Sequence, residues 1–218
     1  MSTSEYEGQY YTNEIPAEQS LRIKTKCPYI IFKRVFDFVF AILLIIPFST
    51  IILVFGFLIK IESSGSIFYT QLRVGLNGKI FKIYKLRSMS NDAEKNGIQW
   101  ATIGDQRVTK VGKFIRRTRI DELPQIINIL KGEMSFIGPR PERPEFTNEF
   151  QSKIPSFMDR LLILPGLSGL AQVSGGYDLL PVDKLKFDVE YIKNISFFLD
   201  LKILVKTFIV ILNGFGSR

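Results

Sequence analysis

The chain has 218 residues, a hydrophobic fraction of 46% and a formal net charge of +8. It contains no histidine, which excludes the commonest general base and the commonest ligand of transition metals. Acid–base or metal chemistry must therefore use carboxylates, lysines or tyrosines, and oxygen ligands favour a hard cation such as Mg²⁺. The single cysteine permits no internal disulfide. A basic, apolar chain of this length predicts one domain with an appendage and an anionic partner: a lipid surface, a nucleotide or a nucleic acid.

The amino-terminal part predicts a polar tail followed by a membrane anchor. Residues 1–28 are a polar tail and a basic lead-in, without the apolar stretch behind a basic head that indicates a signal peptide. Residues 38–59 carry no charge, and about 20 apolar residues are enough to cross a bilayer. Pro47 lies near the middle of this run, where a proline bends a helix.

Charges on both sides of the apolar run favour a re-entrant path over a simple crossing. Lysines and arginines both precede and follow the run, among them Lys24, Lys26, Lys33, Arg34, Lys60 and Arg73. If positive charge marks the cytoplasmic side, both ends of the run prefer that side. We therefore expect residues 29–62 to form a helix that breaks at Pro47, dips into one leaflet and returns. An ordinary kinked transmembrane helix is the alternative.

Residues 63–212 predict a globular domain, followed by a short tail at 213–218. Two alternating runs around Asn77-Gly78 predict a β-hairpin. Residues 105–114 are expected to form an extended or turn segment, and helices are expected at 122–131, at roughly 145–161 and at 181–212. The last helix has an apolar stripe interrupted by Asp200, Lys202 and Lys206, so it is expected at the membrane interface or packed on the domain.

Two adjacent carboxylates, Asp121 and Glu122, stand just after Arg116, Arg117 and Arg119 and before an apolar run. For an arbitrary pair of acids, a capped surface helix with local ion pairs is the simplest interpretation. The surrounding motifs favour a different one.

Five ordered blocks carry a family resemblance: "KRVFDFVFAILLIIPF", "SSGSIFYTQLRVGLNGKIFKIYKLRSM", "DELPQIINILKGEMSFIGPRPERPEF", "PGLSGLAQVSGG" and "DVEYIKNISFFLDLKILVKT". In this order they resemble the bacterial sugar transferases, the monotopic polyprenyl-phosphate phosphoglycosyl transferases, in their minimal form. The likeness covers roughly residues 30–212. It implies a membrane-associated α/β (α+β) fold with a re-entrant helix-break-helix hairpin, a small domain and interfacial amphipathic helices on the cytoplasmic face of the bacterial cell membrane.

The resemblance also implies an activity. Such an enzyme moves a sugar 1-phosphate from a nucleotide diphosphate sugar, expected to be a UDP-sugar, to polyprenyl phosphate, usually undecaprenyl phosphate, with Mg²⁺. It would initiate exopolysaccharide, capsule or glycan biosynthesis alongside other glycan-assembly enzymes. The alternative is a non-catalytic membrane-bound adaptor that binds anionic lipid head groups. Nucleic-acid binding is not expected, because the sequence has no basic stripe with interleaved aromatic residues.

The resemblance assigns roles to particular residues. Asp121 matches the family's nucleophile and is an expected Mg²⁺ ligand, and Glu122 is expected to bind the metal or handle a proton. Arg116 matches a phosphate-contacting arginine, whereas Arg117 and Arg119 are expected to be general membrane-facing charge. The other substrate-binding candidates come from local patterns. Lys85 and Arg87 alternate on a predicted strand and so share one face, as do Gln71 and Arg73, and Arg140 lies in "GPRP", where the flanking prolines stiffen the loop.

Three aromatic residues are expected in the core, and two residues depart from the family pattern. Phe68, Phe81 and Tyr84 are expected in the core. Gly176 stands where many members carry arginine, and Leu170 stands where an aromatic residue is frequent. Both lie in the block expected to contact nucleotide or sugar, so they affect the identity of the donor.

Overall fold

A computed structural model describes residues 28–93, 95, 105–175 and 179–213. Its helices and strands are α1 (Pro28–Glu62), β1 (Phe68–Val74), β2 (Ile80–Leu86), α2 (Lys110–Arg117), α3 (Ile126–Lys131), β3 (Ser135–Ile137), α4 (Pro144–Lys153), β4 (Gly166–Ser168), α5 (Leu170–Ser174), α6 (Pro181–Lys193) and α7 (Phe197–Asn213). The expected mixture of helices and strands is confirmed, and it begins with one long apolar helix. The expected tail at residues 1–27, most of the tail at 213–218, and Gly176 lie outside the described residues.

The predicted β-hairpin is confirmed. Strands β1 and β2 pair antiparallel, with Phe68 opposite Leu86 and Val74 opposite Ile80. The connection turns through positive φ at Asn77 (53°) and Gly78 (80°), which asparagine and glycine adopt at low cost. A second, shorter sheet pairs β3 with β4 in parallel.

Three helical segments differ from the sequence expectation. The segment at 105–114 is partly helical, because Thr109 Oγ1 accepts from Gly112 N at 2.9 Å and caps α2. The expected helix at 145–161 is wrong in its extent: α4 ends at Lys153, Ile154 is extended before Pro155, and a 3₁₀ segment follows. The expected helix at 181–212 divides into α6 and α7 around residues 194–196.

The segment with the acid pair also begins differently from the prediction. Residues Ile120–Gln125 form a 3₁₀ helix, and the α-helical part begins only at Ile126. Its end was predicted correctly, because Gly132 takes φ of 83° and closes α3.

Helix α1 is the one described helix that is long and apolar enough to cross a membrane. It remains helical through Pro47, so the structure contains one helix where a break was expected. A straight helix of this length would measure about 50 Å. Most of its large apolar side chains face away from the protein, including Ile31 (73% exposed), Ile46 (76%) and Leu53 (74%).

Both ends of α1 dock on the globular domain. Near its start, Arg34 Nη1 donates to the carbonyl of Ile129 at 2.9 Å. At its end, the Glu62 carboxylate accepts from the backbone of Lys110 at 2.7 Å and of Val111 at 3.0 Å, at the amino terminus of α2. Between them, fully buried Ala41 packs in one core cluster and Ile59 in another. The domain therefore contacts one face of α1 along its length.

Candidate active site

An open cavity of about 890 Å³ lies between α1, the β1–β2 hairpin and α7. The walls of the cavity have an apolar part and a polar part. One part is apolar and is formed by helices α1 and α7, with Phe40, Leu44, Phe48, Leu204, Phe208 and Ile211. The other part is polar, with many cationic side chains and the carboxylates Asp121, Glu122 and Glu142. A ligand with an apolar body and an anionic head matches this division.

A tight turn places the acid pair in the cavity. Helix α2 ends at Arg117, and Arg119 takes the left-handed conformation, with φ of 60°. A non-glycine residue in this region is uncommon and often marks a functional segment. The chain then enters the 3₁₀ helix, in which Asp121 is 7% exposed and Glu122 is 5% exposed. Two carboxylates are thereby buried at the start of the segment.

Asn128 fixes this segment against the hairpin. Its side-chain amide donates to the carbonyl of Lys82 at 2.7 Å, and its side-chain oxygen accepts from the backbone of Tyr84 at 3.3 Å. The same strand, β2, carries Lys85. The fully buried Asn128 amide thus ties α3, which follows the acid pair, to the strand that carries Lys85.

Glu122 has its oxygens occupied by cations. Lys85 Nζ donates to Glu122 Oε1 at 2.8 Å, and Arg140 Nη1 donates to Oε2 at 3.2 Å while its Nη2 contacts Oε1. Burial by itself would raise the pKa of Glu122, but Arg140, Lys85 and Arg119 outweigh it and hold the pKa well below its ordinary value. Glu122 therefore stays ionised and keeps Arg140 and Lys85 in place.

Asp121 presents the opposite case. Its Oδ1 is buried and has no hydrogen-bond partner among the described residues, and the same is true of Nη1 of Arg116. Burial raises the pKa of Asp121 to about 6, against the opposing effect of Lys85 and with a further rise from Glu122. Buried polar atoms without partners are rare and call for an explanation, and a ligand in the cavity would provide one.

A second charged cluster surrounds Glu142 at the same cavity. Lys184 Nζ lies 3.3 Å from Glu142 Oε1, Arg73 Nη1 lies 3.8 Å from Oε2, and Arg160 Nη1 lies 3.9 Å from Oε1. Burial would raise the pKa of Glu142, but Lys184, Arg160 and Arg73 lower it overall. Arg160 also donates to Asp188 at 2.9 Å and to the carbonyl of Arg140 at 2.8 Å. Arg160 therefore links the loop that carries Arg140 to Asp188 of α6.

The structure brings the predicted site residues together around this cavity, with one change of role. The lining includes Gln71, Arg73, Lys85, Arg87, Arg116, Asp121, Glu122 and Arg140. Arg87, however, donates to the carbonyl of Ser63 at 2.8 Å and to Asn91 Oδ1 at 2.6 Å. It holds the end of α1 against β2, so its guanidinium is engaged by the protein. Pro47 is absent from the lining, although its neighbour Phe48 contributes.

Two predictions about side chains near the site are wrong. Arg119 lines the cavity and acts on both carboxylates, where general membrane-facing charge was expected. Phe68 is 48% exposed and lines the cavity, whereas Phe81 is buried as predicted and Tyr84 is half-buried with its hydroxyl accepting from Lys131. Side chains alternate between the two faces of β1, and Phe68 lies at the exposed start of this strand. The alternating pattern of so short a strand did not show which of its faces is buried.

The sequence reasoning did not find Glu142, Arg160 and Lys184. The first stands in the proline-rich block beside Arg140, and the other two lie on segments distant in sequence. Their proximity depends on the tertiary fold. A charged residue close to the quoted "GPRP" motif was the available signal for Glu142.

The residues that the structure describes contain no cluster of three or more acidic or cysteine side chains that could hold a metal ion alone. Asp121 nevertheless fits a hard cation, because its buried Oδ1 has no partner in the described chain. Mg²⁺ typically takes one or two carboxylates and completes its shell with water and substrate phosphate oxygens. Glu122 would have to exchange a lysine or arginine contact to join it.

Comparison with known proteins identifies the family of this chain. Residues 28–214 match the family model described as bacterial sugar transferase. The chain belongs to this family. Over 193 residues it is 48% identical to an Aeromonas hydrophila protein named UDP-N-acetylgalactosamine-undecaprenyl-phosphate N-acetylgalactosaminephosphotransferase, covering 87% of this chain and 46% of that protein.

Two further relatives carry a different sugar in their names. A Klebsiella pneumoniae UDP-glucose:undecaprenyl-phosphate glucose-1-phosphate transferase is 39% identical over 193 residues, or 86% of this chain and 41% of that protein. A Caulobacter vibrioides protein of the same name is 40% identical over 180 residues, or 80% of this chain and 67% of that protein. The chain thus spans less than half the length of the Aeromonas and Klebsiella relatives.

Proposed function

We propose that this chain is a membrane-bound phosphoglycosyl transferase that moves a sugar 1-phosphate from a UDP-sugar to polyprenyl phosphate, with undecaprenyl phosphate as the expected acceptor. It would thereby initiate assembly of a surface polysaccharide or glycan. The relatives named above act on undecaprenyl phosphate and UDP-sugars by name, and the chain shares its family with them. Their names differ in the sugar, so the proposal leaves the sugar open.

One observation carries the proposal: Asp121 is a buried carboxylate that lines a cationic cavity and keeps an oxygen without a hydrogen-bond partner among the described residues, while both oxygens of the adjacent Glu122 are engaged by Lys85 and Arg140. A carboxylate that merely capped a helix would have its oxygens engaged by backbone or solvent. An adaptor for lipid head groups would need cations at the cavity and no buried acid among them. The asymmetry of the pair therefore supports catalysis.

In the first step, an ionised Asp121 oxygen attacks the phosphorus that carries the sugar. The bond from this phosphorus to the bridging oxygen breaks, and the nucleoside monophosphate leaves with that oxygen. Arg116, whose buried Nη1 has no hydrogen-bond partner among the described residues, would neutralise a phosphate oxygen. Arg140 would add positive charge at the same cavity while its guanidinium pairs with Glu122. Without such cations an anionic nucleophile would be repelled by the donor.

Mg²⁺ is part of the proposal, with Asp121 as its first ligand and Glu122 as a second after exchange of a cation contact. When bound, the ion would reduce the negative charge on the diphosphate. Lys85 and Arg140 would meanwhile keep Glu122 ionised and oriented.

In the second step, an oxygen of polyprenyl phosphate attacks the phosphorus of the aspartyl intermediate. The bond to Asp121 breaks, the carboxylate is regenerated, and the product is a polyprenyl diphosphate sugar. The isoprenoid chain requires an apolar path to the acid pair, and Phe40 and Leu44 of α1 line the same cavity as Leu204 and Phe208 of α7. The division of the cavity into apolar and cationic parts suits this acceptor.

The proposal includes a re-entrant position of α1 on the cytoplasmic face. A helix that crossed the bilayer would separate its two ends by the thickness of the membrane, roughly 30 Å of hydrocarbon. Arg34 at one end and Glu62 at the other instead contact the same small domain. The proposal therefore requires a bend of the continuous helix at Pro47, so that both ends remain at one surface while the exposed apolar side chains of α1 and α7 enter the membrane.

The activity is tested with purified protein in nanodiscs, a panel of UDP-sugars, and Mg²⁺. We expect one donor to give continuous release of UMP only when polyprenyl phosphate is present, with formation of the lipid-linked sugar. An Asp121→Ala variant serves as the control for contaminating hydrolases. Absence of lipid-dependent turnover with every donor, in protein that still binds anionic vesicles, would favour the adaptor.

A further inference from the structure

A buried polar cluster lies apart from the acid pair, where the first turns of α1 cross α6 and α7. We define the Asp200 cluster as Tyr29 and Lys33 of α1, Tyr191 of α6 and Asp200 of α7. Asp200 is 9% exposed, Lys33 is 8% exposed and Tyr191 is 1% exposed. None of these side chains was placed in the site by sequence reasoning, and the proposed reaction does not use them directly.

The carboxylate of Asp200 accepts three hydrogen bonds from two distant parts of the chain. Lys33 Nζ donates to Oδ2 at 2.7 Å, and the Tyr29 hydroxyl donates to the same oxygen at 2.8 Å. The Tyr191 hydroxyl donates to Oδ1 at 2.6 Å. The Tyr191 hydroxyl also lies 3.4 Å from the carbonyl of Ile137, and Lys33 Nζ also lies 4.0 Å from Asp37 Oδ1. Because side chains of α1 and α6 converge on one carboxylate of α7, the cluster specifies how α1 lies against α7.

Stability alone does not account for such a cluster. Buried ion pairs lose much of their attraction to desolvation, and apolar side chains of similar volume often stabilise a protein as well. What a buried charged pair adds in some proteins is a unique register between elements. Here the elements are the two helices whose apolar side chains form one part of the cavity.

The helical repeat connects the cluster to that part of the cavity. On α1, Lys33 is followed at helical spacing by Phe40 and Leu44, and on α7, Asp200 is followed at intervals of four by Leu204 and Phe208. Residues at these spacings share one face of a helix. The same faces that carry the ion pair therefore continue into the apolar walls of the cavity. A shift of α7 against α1 would change the distance between those walls.

We propose that Lys33 and Asp200 are positioning residues for the lipid acceptor, setting the separation of the apolar walls between which the isoprenoid chain lies. This inference rests on the proposed function. The polar part of the cavity, which would receive the donor, is built mainly on the hairpin, the acid-pair segment and the Arg140 loop. Loss of the cluster should therefore impair transfer to the lipid more than reaction with the donor.

The test measures the two half-reactions separately in the full chain in nanodiscs. Donor alone reports stoichiometric UMP release, and preformed adduct mixed with increasing polyprenyl phosphate reports transfer. For Asp200→Asn we expect donor-only release per folded protein to be unchanged, and transfer efficiency to fall on the order of ten- to a hundredfold with a raised apparent KM for lipid. Lys153→Met is the matched control, because it removes an exposed ion pair of the same 2.7 Å length with Glu149.

A photoreactive polyprenyl phosphate, with benzophenone on its isoprenoid chain, supplies a readout that needs no turnover. Wild type and Lys153→Met should crosslink at peptides of α1 and α7, and Asp200→Asn should lose most of this crosslinking. Equal losses in both half-reactions, or unchanged crosslinking and lipid KM in folded Asp200→Asn, would overturn the inference.

If Asp200→Asn fails to fold, the decision passes to Tyr29→Phe, which removes one hydrogen bond and keeps the ion pair. A selective rise in lipid KM, smaller than for Asp200→Asn, would support the positioning role, and an unchanged lipid KM would refute it. Wild type that gives no donor-only UMP release would count against the covalent step of the proposed function, while crosslinking would still judge the Asp200 cluster.

Discussion

Asp121 and Asp200 are both buried carboxylates beside cationic residues, yet their surroundings differ. Asp200 has both oxygens engaged, by Lys33 and two tyrosine hydroxyls. Asp121 keeps one buried oxygen without a partner in the described chain, and burial raises its pKa to about 6. The hydrogen bonds of Asp200 are complete within the protein, whereas those of Asp121 leave one oxygen for a ligand. Satisfaction of hydrogen bonds, more than charge or burial, distinguishes the proposed nucleophile from the proposed positioning residue.

The largest expected effect that tests this contrast is on turnover. Asp121→Asn preserves shape but removes the nucleophile, so we expect activity to fall by at least about a thousandfold. Glu122→Gln should reduce turnover severely, while labelled intermediate can still form. Steady-state UMP release with donor and lipid measures both. Near-normal turnover of Asp121→Asn would remove Asp121 from the reaction.

The next largest expected effects are those of the arginine variants. Arg140→Lys and Arg116→Lys keep the positive charge but lose the two-pronged contact with a carboxylate or phosphate. We expect turnover to drop about ten- to a hundredfold for both variants. The melting temperature should change little for Arg116→Lys and should fall for Arg140→Lys, because Arg140 pairs with both oxygens of buried Glu122. Activity assays paired with thermal melts measure the two properties, and parallel loss of activity and stability in Arg116→Lys would make that arginine primarily structural.

The two aspartates should differ in sign when stability is measured. Asp200→Asn weakens a buried ion pair and should lower the free energy of unfolding by about 2–4 kcal/mol. Asp121→Asn removes a buried charge at neutral pH and should raise it by about 1–3 kcal/mol. Denaturant unfolding in detergent measures both. The same sign for the two variants would break the contrast.

The smallest expected effect is on pH dependence. In protein without Mg²⁺, burial raises the pKa of Asp121 to about 6, so this carboxylate ionises as pH rises through that value. Below it the native state holds a proton that the unfolded state has released, so stability falls as pH rises between the ordinary aspartate pKa and about 6. Thermal melts of Mg²⁺-free protein from about pH 4 to about pH 8 measure this trend, because that range includes both pKa values.

Much of this fold and site could be predicted from local patterns. Asn77-Gly78 carries its own turn geometry, and Gly132 marks the end of α3, so both predictions were correct. Ordered motifs also identified Lys85, Arg116, Arg140 and the acid pair as residues of one site. The break of the helix after Lys153 was missed although Pro155 provides the local signal.

What could not be predicted depends on long-range contacts. Lys33 was interpreted as a charge flanking the membrane run, but it is buried against Asp200, which lies 167 residues away in sequence. Arg87 was proposed to bind substrate only because side chains alternate along its strand, and in the structure its guanidinium donates to the carbonyl of Ser63. Charges next to long apolar runs are costly unless paired, and this was the available signal for Lys33 and Asp200.

The most direct test of the account is mass spectrometry of the protein incubated with its UDP-sugar and Mg²⁺ in the absence of lipid. The account predicts a phosphosugar adduct on a peptide containing Asp121, together with release of about one UMP per active protein and discharge of the adduct by polyprenyl phosphate. Asp121→Asn should show no adduct. Lipid-dependent turnover in wild type, with no adduct trapped and kinetics that require both substrates bound together, would contradict it and make Asp121 a metal ligand in a direct transfer.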